Sequence, residues 1–186
     1  DLVDKLIKVF STDEVISEVM SLRKYTTSPY SEAMEKTLRE VGVFKLDYVS
    51  DIEIVEPEIT MEQLKLYGLV DRNGNYLLQG RYAIPIRDIN GLVTAVVGWY
   101  PDVKKYVTTP TYGFSKDGQF FNIECYAKSF DGDYPKYKDE STGEILESRG
   151  LVYLVEGIFD TLSLRSLGFP ALGNMGLDMS MAKTEI

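Results

Sequence analysis

The 186-residue sequence predicts an α/β chain with an α+β N-terminal part and, at its C-terminal end, the truncated opening of a parallel β-α-β unit. Three observations carry that expectation. Apolar residues recur at helical spacing over residues 2–24. A strand, turn and strand pattern runs from Tyr82 to Tyr100. An unbroken apolar run, Leu151-Val152-Tyr153-Leu154-Val155, ends on Glu156-Gly157, as expected of a strand buried on both faces that turns into a helix.

Leu2, Leu6, Val9 and Phe10, then Val15, Ile16, Val19, Met20 and Leu22, predict two helices, the second capped by Ser11 or Thr12. After the loop from Thr26 to Tyr30, Ser31 caps a third helix that reaches Val41 and closes at Gly42. Residues 43–58 are acidic, carry β-formers at Ile52, Ile54 and Val55, break at Pro57 and read as a linker. Thr60 starts a short helix from Met61 to Tyr67, with Glu62 and Gln63 in its first turn and Gly68 as its stop. Arg72-Asn73-Gly74-Asn75 is a turn. Tyr82 to Arg87 is a strand whose Pro85 favours an edge or a bulge. Asp88-Ile89-Asn90-Gly91 then returns the chain into Leu92 to Tyr100, with Trp99 in the core. Residues 129–150 read as a polar connection, and Thr161 to Leu167 as a helix stopped by Gly168 and Pro170. The breaks divide the chain into a helical segment with linker (1–57), a mixed α/β part (58–150) and the C-terminal β-α-β (151–186).

Composition narrows the function classes. With 44% hydrophobic residues the chain can bury a core, and no apolar stretch reaches the length of a membrane span. The start lacks the basic and apolar regions of a signal peptide, so a cytoplasmic protein is expected, with no membrane partner. A single cysteine, Cys125, beside Ile123 and Tyr126, reads as a buried thiol. The absence of histidine excludes Ser-His or Cys-His catalysis and a Cys/His zinc site within these residues. No initiator methionine, and an end inside what reads as a helix starting near Asp178, suggest an excised fragment. The net charge of −9 is uneven: residues 1–60 hold 7 basic and 13 acidic groups, residues 61–130 hold 8 and 6, and residues 131–186 hold 5 and 10. A polyanion would therefore be gripped in the middle third.

Glu156 at a strand end and Asp160 four residues later share one pocket if the turn opens a helix near Phe159. Two carboxylates suit Mg²⁺ (or Mn²⁺), which prefers carboxylate, water and phosphate oxygens and is seldom caged by protein alone. The plainer alternative is that both acids only favour a helix N-terminus. Asp131-Gly132-Asp133 precedes Glu156 without an apolar strand before it and reads as a turn. Trp99, Tyr100 and Tyr106 could stack on bases, with a place in the core as the plainer reading of Trp99 at the end of its apolar strand.

An ordered series of motifs resembles the DnaG-type bacterial and phage primases, whose catalytic core contains the toprim fold shared with topoisomerases. Arg81 to Asp88 with Asn90-Gly91 is similar to the family's "R-x-x-x-P-I-x-D-x-x-G" hairpin, Lys105 to Pro110 to its "K-Y-x-N-S-P" loop, and Phe114-Ser115-Lys116 to its "F-x-K". Leu151 to Asp160 resembles the toprim strand and "E-G-x-x-D" turn, and Gly168 to Gly176 the next strand and its glycine loop. Thr108-Thr109 depart from the family's Asn-Ser pair, Asn174-Met175 are atypical of the glycine loop, and the family's later "D-x-D" would lie beyond Ile186.

The resemblance implies a fragment of a DNA primase that joins ribonucleoside triphosphates into short primers on a single-stranded DNA template. It makes Glu156 the catalytic and metal-holding acid and Asp160 its support. Lys105, Lys116 and Arg87 become phosphate contacts, Gly173 and Gly176 a phosphate loop, and a replicative helicase a partner. The sparse basic content is phage-like, and the fragment alone is expected to be inactive. A toprim nuclease, or a non-catalytic nucleic-acid-binding replisome module, are the alternatives.

Overall fold

The computed structural model describes residues 1–27, 29–110, 119–129, 136–138, 141–147 and 152–175; within these, the side chains of 103–105, 110, 127–129, 136–138, 146 and 147 are not described. Contacts divide the chain into two compact units, Asp1–Ile86 with Val93–Phe114, and Arg87–Leu92 with Ser115–Ile186.

The first unit opens with α1 (Leu2–Phe10) and α2 (Asp13–Leu22). Thr12 Oγ1 accepts from the Val15 N–H at 3.3 Å, so of the two expected caps Thr12 serves. α3 (Ser31–Val41) begins one residue earlier than expected: Ser31 is helical, and Tyr30 holds the cap position without a side-chain bond. Gly42 closes α3 in the left-handed region at φ 83°, and a side chain there would meet Ile7 Cγ2 at 2.8 Å.

Residues 43–58 are not a linker. They form β1 (Phe44–Lys45) and α4 (Val49–Val55). Val49, Ile52 and Val55 fall three residues apart, which is one helical face, and Ile52 is fully buried against Leu2, Leu6, Phe44 and Leu64. Asp51 caps this helix by accepting from the Tyr48 N–H at 3.0 Å. α5 (Met61–Leu66) carries a capping box: Thr60 Oγ1 accepts from the Gln63 N–H at 3.2 Å and Gln63 Oε1 accepts from the Thr60 N–H at 2.8 Å.

Strands β2 (Tyr82–Arg87), β3 (Val93–Tyr100) and β4 (Val103–Pro110) join β1 in a sheet of order β1-β2-β3-β4. β2 lies between β1 and β3, but β1 reaches only Tyr82 and Ala83, so Pro85 sits where the strand has no β1 partner. The Lys105–Pro110 segment, expected as a loop, is strand: Val96 pairs with Thr109 and Val97 with Thr108. Thr109 is buried and donates its hydroxyl to the Val96 carbonyl at 3.1 Å, which is how a threonine satisfies a core position. Trp99 is buried as expected, while Tyr100 and Tyr106 remain exposed.

In the second unit, α6 (Ile123–Ser129) is followed by an antiparallel ladder of β5 (Lys136–Lys138) and β6 (Ile145–Glu147), inside the stretch expected to be only a polar connection. Then come β7 (Tyr153–Val155), α7 (Ile158–Ser166) and β8 (Ala171–Gly173). β7 and β8 are parallel, with Tyr153 opposite Ala171 and Val155 opposite Gly173. β7 is not buried on both faces: Tyr153 and Leu154 are each 45% exposed, because among the described residues β8 is its one neighbour. Cys125 is half-buried rather than buried. No helix among the described residues is long and apolar enough to cross a membrane.

Candidate functional site

The parallel pairing of β7 with β8 places Glu156 at the carboxyl end of both strands, where open α/β sheets present ligands. The backbone there is fixed from two sides. The Asn174 N–H, just past β8, donates to the Val155 carbonyl at 2.8 Å, which sets the direction in which Glu156 leaves β7. On the helix side the Gly157 carbonyl accepts from both the Thr161 N–H at 3.1 Å and the Thr161 hydroxyl at 2.9 Å. Thr161 is fully buried, so the donor side of both hydrogen bonds is shielded from water.

Gly157 caps α7 with extended backbone, φ −95° and ψ 147°. The helix thus starts at Ile158, three residues before the expected Thr161, and Asp160 falls in its first turn. A side chain on Gly157 would stand 2.5 Å from Asp160 Oδ2, so the Asp160 carboxylate lies directly over the glycine. Glu156 and Asp160 are both exposed and flank that bare turn. Their position at a helix N-terminus is electrostatically favourable for anions in its own right.

Glu156, Asp160 and Gly173 are therefore brought to one end of β7 and β8. Gly173 is the last residue of β8: its N–H donates to Phe121 O at 3.0 Å and its carbonyl accepts from the Phe121 N–H at 2.9 Å. Its missing side chain leaves room for Thr161 Oγ1, which would be 2.7 Å from a Cβ, and for Phe121 at 3.1 Å. Glycine here lets α7 and the 120–123 segment close on the strand. Arg87, at the end of β2, is half-buried and donates from Nη1 to the Gly91 carbonyl at 2.9 Å, closing its own hairpin turn. Lys105 lies on β4 in the first unit, and its side chain is outside the described set. Lys116, Gly176 and Asp131-Gly132-Asp133 lie outside the described residues.

Among the described residues no three acidic, cysteine or histidine side chains gather as a metal cage. Two exposed carboxylates at a strand end fit Mg²⁺ all the same, since that ion takes one or two carboxylates and completes its shell with water and phosphate.

Sequence reasoning passed over Asn122. It is buried, sits in the left-handed region at φ 73°, donates from Nδ2 to the Ala171 carbonyl at 2.9 Å, and accepts from Arg165 Nη1 at 2.9 Å. A signal was present: asparagine after an apolar run and before a helix is the non-glycine residue best suited to that conformation.

No family model matches the sequence, and no curated protein matches it. Solved structures do. The chain is similar to the E. coli primase catalytic core, with a TM-score of 0.68 and 18% identity over 99% of this chain and 56% of that one. It is similar to the structure of the DnaG catalytic core, with a TM-score of 0.65 and 21% identity over 99% and 56%. A DnaG primase catalytic domain bound to ssDNA matches with a TM-score of 0.57 and 15% identity over 99% and 59%. The chain has the fold of these primase cores and spans a little over half the length of each.

Proposed function

We propose that this chain is part of a DnaG-type DNA primase, a nucleotidyltransferase that extends short RNA primers on single-stranded DNA, and that Glu156 and Asp160 belong to its toprim-type acidic turn. The observation that carries the reading is the exposed Glu156 at the carboxyl end of a parallel strand pair, followed at once by a glycine-capped helix, in a chain with a primase-core fold.

The reaction is attack of a primer 3′-hydroxyl on the α-phosphate of a ribonucleoside triphosphate, with pyrophosphate leaving. Bound Mg²⁺ supplies positive charge to the phosphate oxygens. The Glu156 carboxylate would hold that ion, and Asp160 would support it across the bare Gly157 turn. Lys105 and Lys116, from the net-basic third of the chain, would hold template or nucleotide phosphates, contacts that position a nucleic acid without reading its sequence. Arg87 already spends one N–H on its own turn and is the weakest of the three. With the Gly173 N–H committed to Phe121, a phosphate cradle would fall to the residues after it, Gly176 among them. A replicative helicase is the partner such a primase would need, and residues 1–186 alone should make no primers, because a partner acid for Glu156 would come from elsewhere in the complete protein.

Replacing Glu156 by Gln in the complete protein tests the reading. Template-directed primer synthesis should fall at least roughly a hundredfold with the fold intact. Synthesis at the wild-type rate would overturn it.

A further inference from the structure

We infer that Asn122 is a positioning residue for the acidic turn, acting through β8 and α7 on Glu156 and Asp160; the inference rests on the proposed primase reading of that turn. The argument starts from the two edges of β8. Along one edge Pro170 O accepts from the Tyr153 N–H at 2.8 Å, and the Asn174 N–H donates to Val155 O at 2.8 Å, so this edge belongs to β7. The other edge presents Ala171 O and both backbone groups of Gly173. All three are taken by two consecutive residues: Phe121 bonds twice to Gly173, and Asn122 Nδ2 donates to Ala171 O.

Asn122 does more than extend that edge. Its left-handed backbone turns the chain out of the strand bridge and into α6, while its side-chain oxygen accepts from Arg165 in the last turn of α7. One buried amide therefore ties β8 to the far end of the helix that carries Asp160 at its start. A buried amide that is satisfied on both its oxygen and its nitrogen holds geometry rather than merely filling space.

Displacement at this clamp has a defined path to the carboxylates. If β8 slides, the Asn174 to Val155 bond moves the exit of Glu156. If α7 slides, Gly173 and Thr161 are already in close approach, and Thr161 carries the shift to the Gly157 carbonyl and to the turn beneath Asp160. A misplacement of about 1 Å is enough to cost a metal-assisted reaction a large factor in rate. Asn122 itself touches neither carboxylate and would move no proton.

The test uses the complete protein with Asn122→Gly, which keeps the left-handed backbone and removes both side-chain hydrogen bonds, and with Asn122→Asp, which keeps the acceptor for Arg165 and loses the donor to Ala171. Three quantities are measured: kcat and KM for primer extension, the Mg²⁺ midpoint of that activity, and Mn²⁺ affinity by electron paramagnetic resonance. For folded Asn122→Gly, kcat and Mn²⁺ affinity should each fall roughly tenfold, with KM for template little changed and Asn122→Asp intermediate. A folded Asn122→Gly with wild-type kcat and Mn²⁺ affinity, changed only in melting temperature, would overturn the inference. Should Asn122→Gly not fold, Asn122→Asp decides by the same two quantities. If the wild type makes no primer, the primase reading fails, while the difference in Mn²⁺ affinity between wild type and variants still decides the role of Asn122. A wild type that binds no Mn²⁺ overturns both.

Discussion

The Tyr82 hydroxyl on β2 donates to the Glu18 carboxylate on α2 at 2.5 Å, a contact that spans 64 residues of sequence. Lys45 on β1 joins it: its ammonium lies 3.6 Å from the same carboxylate oxygen and 5.0 Å above the Tyr82 ring. Behind them the Tyr82 ring packs at 5.6 Å on Trp99 of β3, and Arg23 stands 5.9 Å over the indole. One tyrosine thus fastens the helical layer to three strands through an apolar body and a polar tip.

Tyr82→Phe should cost about 1–2 kcal/mol. The variant keeps the ring packing and loses a hydrogen bond to a charged acceptor, worth about 1.5–3 kcal/mol when fully shielded, and the partly exposed Glu18 regains water. Urea unfolding is the measurement. A loss below about 0.3 kcal/mol would mean that the contact contributes no more than a surface pair.

Alkaline pH should weaken the first unit through two tyrosines. Burial raises Tyr76 well above the ordinary phenol range, with Asp51 and Asp47 adding to it. Burial likewise raises Tyr82, with the Glu18 hydrogen bond and charge, Tyr100 and Asp47 contributing. A raised folded-state value means that the unfolded chain releases these protons first. The stability they contribute is then complete below about pH 10 and falls above it, by up to about 1.4 kcal/mol per pH unit for each tyrosine. The Tyr76 hydroxyl is buried with no hydrogen-bond partner among the described residues, so Tyr76→Phe should be neutral or slightly stabilising at pH 7. The same variant should flatten the loss of stability between pH 10 and 12, as followed by denaturation at a series of pH values.

Ile52→Ala should destabilise by about 2–4 kcal/mol, the usual cost of emptying a fully buried aliphatic site. Ile54, two residues on, is 72% exposed, so Ile54→Ala should change stability by less than about 0.5 kcal/mol. The contrast between the two measures whether residues 43–58 are folded structure or tether.

What could be read from the sequence was whatever had its own local chemistry. Thr60 with Gln63, Gly42 after Val41, and Asp88 before Gly91 each name a cap or turn by residue type alone, and each does that job; Asp88 Oδ1 accepts from the Asn90 and Leu92 N–H groups, both at 2.9 Å. The acidic turn was legible for the same reason, because an apolar run ending in Glu-Gly is a local statement. Errors arose where a neighbour decides. Ile52, Ile54 and Val55 are β-formers by type and helical because one face meets Leu6 and Phe44. Thr108 and Thr109 looked like loop until β3 supplied a ladder. Tyr153 and Leu154 read as doubly buried because their residue types cannot say how many strands will flank them. Asn122 offered a local hint of its left-handed turn but none of its role, because its partners, Ala171 and Arg165, are more than forty residues away.

Gly157→Ala tests the proposed support of Glu156 by Asp160. The backbone at 157 is extended, with φ −95°, so alanine fits the conformation without strain and the cap of α7 should survive. Its methyl carbon, however, would lie 2.5 Å from Asp160 Oδ2 and 3.3 Å from Cγ, and the carboxylate must swing away from the turn to admit it. In the complete protein the expected result is an unchanged melting temperature within about 2 °C, with the Mg²⁺ midpoint of primer synthesis raised roughly tenfold. Asp160→Asn should shift that midpoint by a similar factor, and the double variant by little more than either alone, since both changes withdraw the same carboxylate. An unshifted midpoint in Gly157→Ala, with the protein folded, would remove Asp160 from the proposed site.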